Sequence, residues 1–265
     1  MKAEVLTITP AQAALYLEGN TSNRPLLRTH VAFLAQQMRD GQWKENGEAI
    51  KFNGSRLLDG QHRLAACVKA NTPFRTLVIL GIEDTVFDTL DTGKVRTAND
   101  VLAMSGIINT RMVSTAIRCI HMIRNGGKTT ENGGNRLLTN AEVLLWAQGN
   151  TSIQDSATIV IAHKHARKLI GSGAAVALHF LFSKKDSALC NQFFKSMEDG
   201  IGMLANDPVY LLREKLNDNM LSREKFSSVT ILAYCIKAWN ARRANEPMKR
   251  LAWHTGRGEA FPVIS

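Results

Sequence analysis

The chain has 265 residues, 45% hydrophobic and 21% charged, with a formal net charge of +10. That length invites two domains, and the composition is globular rather than disordered. No apolar run approaches the ~18 residues that span a bilayer. The opening MKAEVLTITP lacks the basic and apolar stretches of a secretory leader, and none of the four cysteines sits in a CxxC or CxxH pair, so a cytoplasmic protein with free thiols and no zinc site is expected.

Residues 2–8 alternate polar and apolar as a strand, and Thr9-Pro10 open a helix to about Leu17. A turn cluster at 19–23 follows, and then Leu27, Val31, Leu34, Ala35 and Met38 recur at helical spacing up to Asp40-Gly41. Ala49 to Phe52 reads as a strand, Asn53-Gly54 as a hairpin turn and Arg56 to Leu58 as the returning strand. A helix over 61–70 and a buried strand over 74–80 complete an α/β region. A helix is expected at 98–105, capped by Thr97. Beyond residue 107 helical periodicity dominates, at 109–124, 139–148, 153–170, 174–183, 187–198, 208–217 and 222–244. The Gly- and Asn-rich stretch 125–135 reads as a mobile loop. Trp239 and Trp253 read as core anchors. An α/β (α+β) domain of mixed sheet over 1–108 and an all-α domain over 109–265 are therefore expected.

Charge divides along the same line. Residues 1–108 carry 12 Lys and Arg against 11 Asp and Glu, whereas residues 109–265 carry 21 against 12. Such a surplus suits a segment that meets nucleic acid. Its basic groups, Lys164, Arg167, Lys168, Lys184, Lys185, Arg242 and Arg243, are the expected DNA-backbone contacts. No helix-turn-helix spacing stands out.

Chemistry concentrates in Leu57 to Ala66, LLDGQHRLAA. A strand ends, Asp59-Gly60 turn, and a helix starts at Gln61, with Asp59 placed to cap it. Helix N-termini attract phosphate through unpaired N–H groups and the positive end of the macrodipole; Gly60 would let a ligand approach the backbone. His62 and Arg63 stand in the first turn, where the dipole disfavours cations. Arg63 offers a planar fork to phosphate and His62 a further hydrogen bond.

Asp59-Gly60-Gln61-His62-Arg63-Leu64-Ala65-Ala66 resembles the DGQHR-type variant of the motif shared by ParB partition proteins and sulfiredoxins. Residues 21–25, the helix through Gly41 and the strand at Ile50 resemble the ordered blocks of a ParB N-terminal domain. The resemblance implies a ParB/sulfiredoxin-like domain of a bacteriophage or mobile element. It further implies that Gly60, Gln61, His62 and Arg63 hold the phosphates of CTP or ATP, accompanied by Mg²⁺, with Asn23 and Arg24 as a second wall. Gln61 stands where sulfiredoxins need their reactive cysteine, so sulfinic acid reduction is not implied. Thr92, Lys94, Arg96 and Thr97, in the run Asp91 to Thr97, are expected to add a second phosphate contact.

The leading expectation is nucleotide-responsive DNA binding, with a homo-oligomer compatible and no membrane partner. Two alternatives stand beside it. One is an enzyme, a metal-assisted nuclease or phosphotransferase, with Glu48 or Asp59 as the acid. The other is a protein-interaction module acting on a host factor.

Overall fold

The computed structural model describes residues 1–21, 23, 25–83, 97–128, 138–254 and 258–265. The Arg24, Thr92, Lys94 and Arg96 positions and most of the Gly-rich stretch lie outside the described residues. The protein is mixed α/β and mostly helical, and its described residues divide into two compact units, one before residue 84 and one from residue 97 onward.

The N-terminal unit runs β1 (Lys2–Ile8), α1 (Pro10–Glu18), α2 (Arg28–Arg39), β2 (Ala49–Asn53), β3 (Arg56–Asp59), α3 (Gln61–Ala70) and β4 (Phe74–Leu80). Thr9 opens α1 through a full capping box with Gln12, and Pro10 occupies the first turn, where its missing N–H costs nothing. The sheet order is β1-β4-β2-β3. β1 with β4 and β2 with β3 pair antiparallel, while β2 and β4 pair parallel, so the sheet is mixed. α3 packs against α1 and α2. Ile8, Ile50, Phe52, Leu57, Leu64 and Val78 fill the core beneath them.

The hairpin turn is Gly54-Ser55 rather than Asn53-Gly54, because Asn53 still pairs with Arg56 and Gly54 takes the positive φ of +56°. A bulge between Lys51 and Phe52 then shifts the register, so that Lys51 faces Asp59. An unbroken ladder would have put Leu58 there.

The second unit runs α4 (Ala98–Met104), α5 (Thr110–Arg124), α6 (Asn140–Gly149), α7 (Ile153–Ala162), α8 (Lys164–Ile170), α9 (Ser172–Ser183), α10 (Ser187–Asp199), α11 (Pro208–Leu221) and α12 (Ser228–Arg243). α4 packs on α5 and α6 and so joins the helical unit, although its sequence position places it before residue 109. α9 is the hub. It is apolar all round, as a central helix must be, and it touches α5, α7, α8, α10 and α12. Gly173 permits its close crossing with α5, since a Cβ there would lie 2.4 Å from the Thr115 side chain. Phe182 stacks on Trp239 at 4.2 Å between ring centroids, and Phe193 meets both rings edge-on. Trp239 and Trp253 are both buried.

Two helices differ from expectation. The continuous pattern over 153–170 is broken at His163, whose ψ of 73° ends α7 and starts α8 without a glycine or proline. The 222–244 pattern begins only at Ser228. Lys225 Nζ donates to the terminal carbonyls of Asn219 and Met220, and Asn219 Oδ1 accepts from Phe226 N, which closes α11 before Ser227 caps α12. Among the described residues no helix is long and apolar enough to cross a membrane.

Candidate functional site

β3 delivers the motif to the first turn of α3. Its turn residue, Gly60, has φ +103°, and a Cβ there would fall 2.3 Å from Ile50 Cδ1. Backbone conformation and core packing therefore demand glycine at this position. Asp59 does not cap the helix, because the N-cap position is Gly60 itself. Its carboxylate lies between two cations, 3.2 Å from Lys51 Nζ and 3.5 Å from Arg63 Nη2.

Gln61 and His62 are buried and face the loop joining α1 to α2. Asn20 Nδ2 donates to Gln61 Oε1 at 3.0 Å, and Asn23 Nδ2 donates at 2.7 Å both to Asn20 Oδ1 and to the Leu57 carbonyl. Leu27 N–H donates to His62 Nε2 at 3.1 Å. That bond requires an unprotonated Nε2, so the neutral imidazole carries its proton on Nδ1. Gly19 completes the latch: its carbonyl accepts from Leu57 N, and a Cβ on it would strike the Ser55 carbonyl at 2.0 Å. Asn23, Gln61 and His62 are thus brought together as expected, but in bonds that fasten a loop. Asn20, which sequence reasoning passed over as one more turn residue, sits at the centre of them.

Arg63 is the motif residue with capacity left. Its Nη2 donates to the Ala49 carbonyl at 2.9 Å, while its Nη1 is buried and bonded to no described residue. Leaving a charged donor enclosed and unpaired costs roughly 1–3 kcal/mol or more. An acceptor oxygen of an anion would relieve it. Lys51, missed in the sequence because only the bulge brings it opposite Asp59, adds a second cation at the same place.

Glu48 stands in an exposed turn. It is held by its backbone, with N–H to Asn46 Oδ1 and carbonyl from Thr76 Oγ1, and its carboxylate pairs with no described residue. Thr97 belongs to the helical unit, where its hydroxyl and N–H form a capping box with Asp100. That side chain is committed to starting α4. Among the described residues no three His, Cys, Asp or Glu side chains converge as a metal site.

The expected DNA contacts separate into two kinds. Lys164, Lys168, Lys185 and Arg243 are exposed. Arg242 pairs with Asp207 at 2.5 Å, Lys184 Nζ lies 4.2 Å over the Phe180 ring, and Arg167 is half-buried with an enclosed, unpaired Nε. The α8 start also shows what this protein does with a bare helix N-terminus. Glu198 of α10 places Oε2 2.7 Å from His165 N and 3.1 Å from Ala166 N, and Arg213 covers the carbonyls of Met197 and Glu198. Burial first, then the Arg213 charge, lowers the His165 pKa, against the opposing pull of Glu198. Compared with protein-family models, curated proteins and solved structures, the chain finds no match.

Proposed function

We propose that the chain is a ParB/sulfiredoxin-like, nucleotide-responsive DNA-binding protein of a phage or mobile element. Arg63 takes a phosphate of a nucleoside triphosphate, CTP or ATP, and the helical unit meets DNA. The observation that carries the phosphate reading is the enclosed, unpaired Nη1 of Arg63 at the first turn of α3, beside Lys51. An arginine anchored through one nitrogen and unpaired at the other keeps a donor for an anionic oxygen. The DNA reading rests on the +9 balance of residues 109–265, 21 cations against 12 acids.

A thermal-shift screen of the four ribonucleoside triphosphates, with and without Mg²⁺, tests the phosphate reading. A ligand that binds only the folded protein raises Tm by mass action. One triphosphate is expected to do so in the wild type and not in Arg63→Ala. No shift from any triphosphate would overturn it. The enzyme reading gains nothing from the geometry, since Asp59 lies between two cations and the Glu48 carboxylate stands alone in solvent.

A specific observation favours the interaction module as the second reading. Gln61 and His62 spend their side chains on the α1–α2 loop, which is what a motif kept for architecture would do. Under that reading the triphosphate screen is silent and Gln61→Ala destabilises the fold.

A further inference from the structure

Several exposed cations of the second unit lie near the C-terminal end of α10. α10 runs back along α9 from Asp186, so its C-terminus lies ~18–20 Å from Lys184 and Lys185 at 1.5 Å rise per residue. Several segments meet at that C-terminus. The start of α8 is tied to it by Glu198, and α11 by Arg213. The end of α12 joins through Arg242 with Asp207, and the stretch after α12 through Met248 N–H to the Asn206 carbonyl. Exposed Lys164, Lys168, Lys195, Arg243 and Lys249 therefore share this end. The acids here are largely occupied: Glu198 by two amides, Asp207 by Arg242 and Val209 N, and Asp199 by Ile201 N. Asp199, Glu246 and Glu214 remain exposed.

Next to these cations runs the loop between α10 and α11. Ile201 is 78% exposed and Leu204 74% exposed. Their exposure belongs to a fastened loop, since Ile201 N–H donates to Asp199 Oδ1, Asp207 N–H to the Leu204 carbonyl, and the Asn206 carbonyl accepts from Met248. Ile201 lines a recess of about 200 Å³ together with Lys195, Asp199 and Arg242.

We propose that this end of the helical unit is the duplex-DNA surface, with Ile201 and Leu204 as an apolar wedge set into the minor groove and the surrounding lysines and arginines on the flanking phosphates. The inference rests on the DNA-binding reading above and names the surface that performs it. Groove binders kink a duplex by inserting one or two apolar side chains between base steps, with cations on either side. An amphipathic-helix membrane anchor buries a whole apolar helix face, which two side chains on a short loop do not supply. The cations come from α8, α10, α12 and the segment after it, so several separate segments supply the phosphate contacts.

The test uses the full chain and a 20-base-pair duplex labelled at both ends, read by anisotropy and by end-to-end energy transfer. Wild type is expected to bind with strong salt dependence and to shorten the end-to-end distance. The double variant Ile201→Ser/Leu204→Ser is expected to bind about tenfold weaker or worse and to leave the duplex straight. Lys195→Ala/Arg243→Ala is expected to flatten the salt slope by nearly two, at about 0.9 per phosphate contact. Leu221→Ser, an exposed apolar residue at the far end of α11, is expected to match wild type. Wild-type binding unchanged by both double variants, or lost only in Lys184→Ala/Lys185→Ala, overturns the surface and leaves DNA binding standing. No duplex binding by wild type at low salt overturns the DNA reading and the surface with it. Pelleting with phosphatidylserine vesicles, lost in Ile201→Ser/Leu204→Ser while duplex binding is not, assigns the loop to a membrane instead.

Discussion

α3 and α8 both begin with cations in or beside the first turn, no acid there, and no cap from the N-cap side chain, yet the two starts are completed differently. At α8 the protein supplies its own anion, the Glu198 carboxylate, and the neighbouring Arg213 is spent on backbone carbonyls. At α3 the carboxylate expected to cap, Asp59, turns instead to Lys51 and Arg63, and one nitrogen of Arg63 stays unpaired. A helix start furnished with its own carboxylate is structural. One furnished with an enclosed, half-used guanidinium is the start that the proposed phosphate reading assigns to an anion from outside.

The largest expected effect lies at α3. Gly60→Val forces a β-branched residue to φ +103° and into Ile50 Cδ1, and it should cost ~3 kcal/mol or more. Urea unfolding reads it. An Ile50→Ala partner change should recover the steric part only, because the backbone strain remains. Full stability of Gly60→Val would show that the turn is not built as described.

At α8, Glu198→Ala removes the acceptor of two helix-start amides, an expected loss of about 1–2 kcal/mol. Glu198→Gln keeps an acceptor oxygen without the charge and should lose about half as much. Equal stability of wild type and Glu198→Ala would erase the contrast between the two helices.

The helical core adds a pH dependence. His179 is buried and lies 5.2 Å from Phe194 between ring centroids. Burial, reinforced by His163 and opposed by Asn191, lowers its pKa below the ordinary 6.5. The unfolded chain thus takes up a proton that the fold refuses. Stability is fully present above pH 6.5 and declines as pH falls from there toward the depressed folded value. Unfolding midpoints between pH 8 and pH 5 should show the decline, and His179→Leu should flatten it. A midpoint that does not move would place the ring in contact with water.

The smallest effect is chemical. Burial pushes the Cys67 and Cys119 thiols up to about 11 and Cys190 to about 12, and it raises Cys235 further. Thiol reagent at pH 8 should label the native protein slowly and the urea-unfolded protein at once. Rapid native labelling of Cys67, Cys190 or Cys235 would contradict their burial.

Much of the fold was legible because its signals are local. Thr9-Pro10 and Thr97 announce helix starts in neighbouring side chains, and the Phe74–Leu80 strand is a β-branched run with clear ends. The break at His163 was not legible: apolar periodicity continues through it from Ile153 to Leu169, and no glycine or proline marks the change. The site was half legible. The motif identified Gly60 and Arg63 but not the direction of the polar side chains. Gln61 is held by Asn20 from 41 residues away, and Lys51 meets Asp59 only through a bulge. Both depend on tertiary register, which a one-residue shift would undo.

The contrast between the two helix starts is tested most directly at Arg63. Calorimetric titration of wild type, Arg63→Ala and Arg63→Lys with the triphosphate that raises Tm, beside circular dichroism, measures what the free nitrogen contributes. Arg63→Ala should bind roughly tenfold to more than a hundredfold weaker while remaining folded. Arg63→Lys should recover only part, since an ammonium keeps the charge but loses the planar fork. Wild-type affinity in a folded Arg63→Ala would contradict the phosphate site and leave the motif as the fastening of the α1–α2 loop.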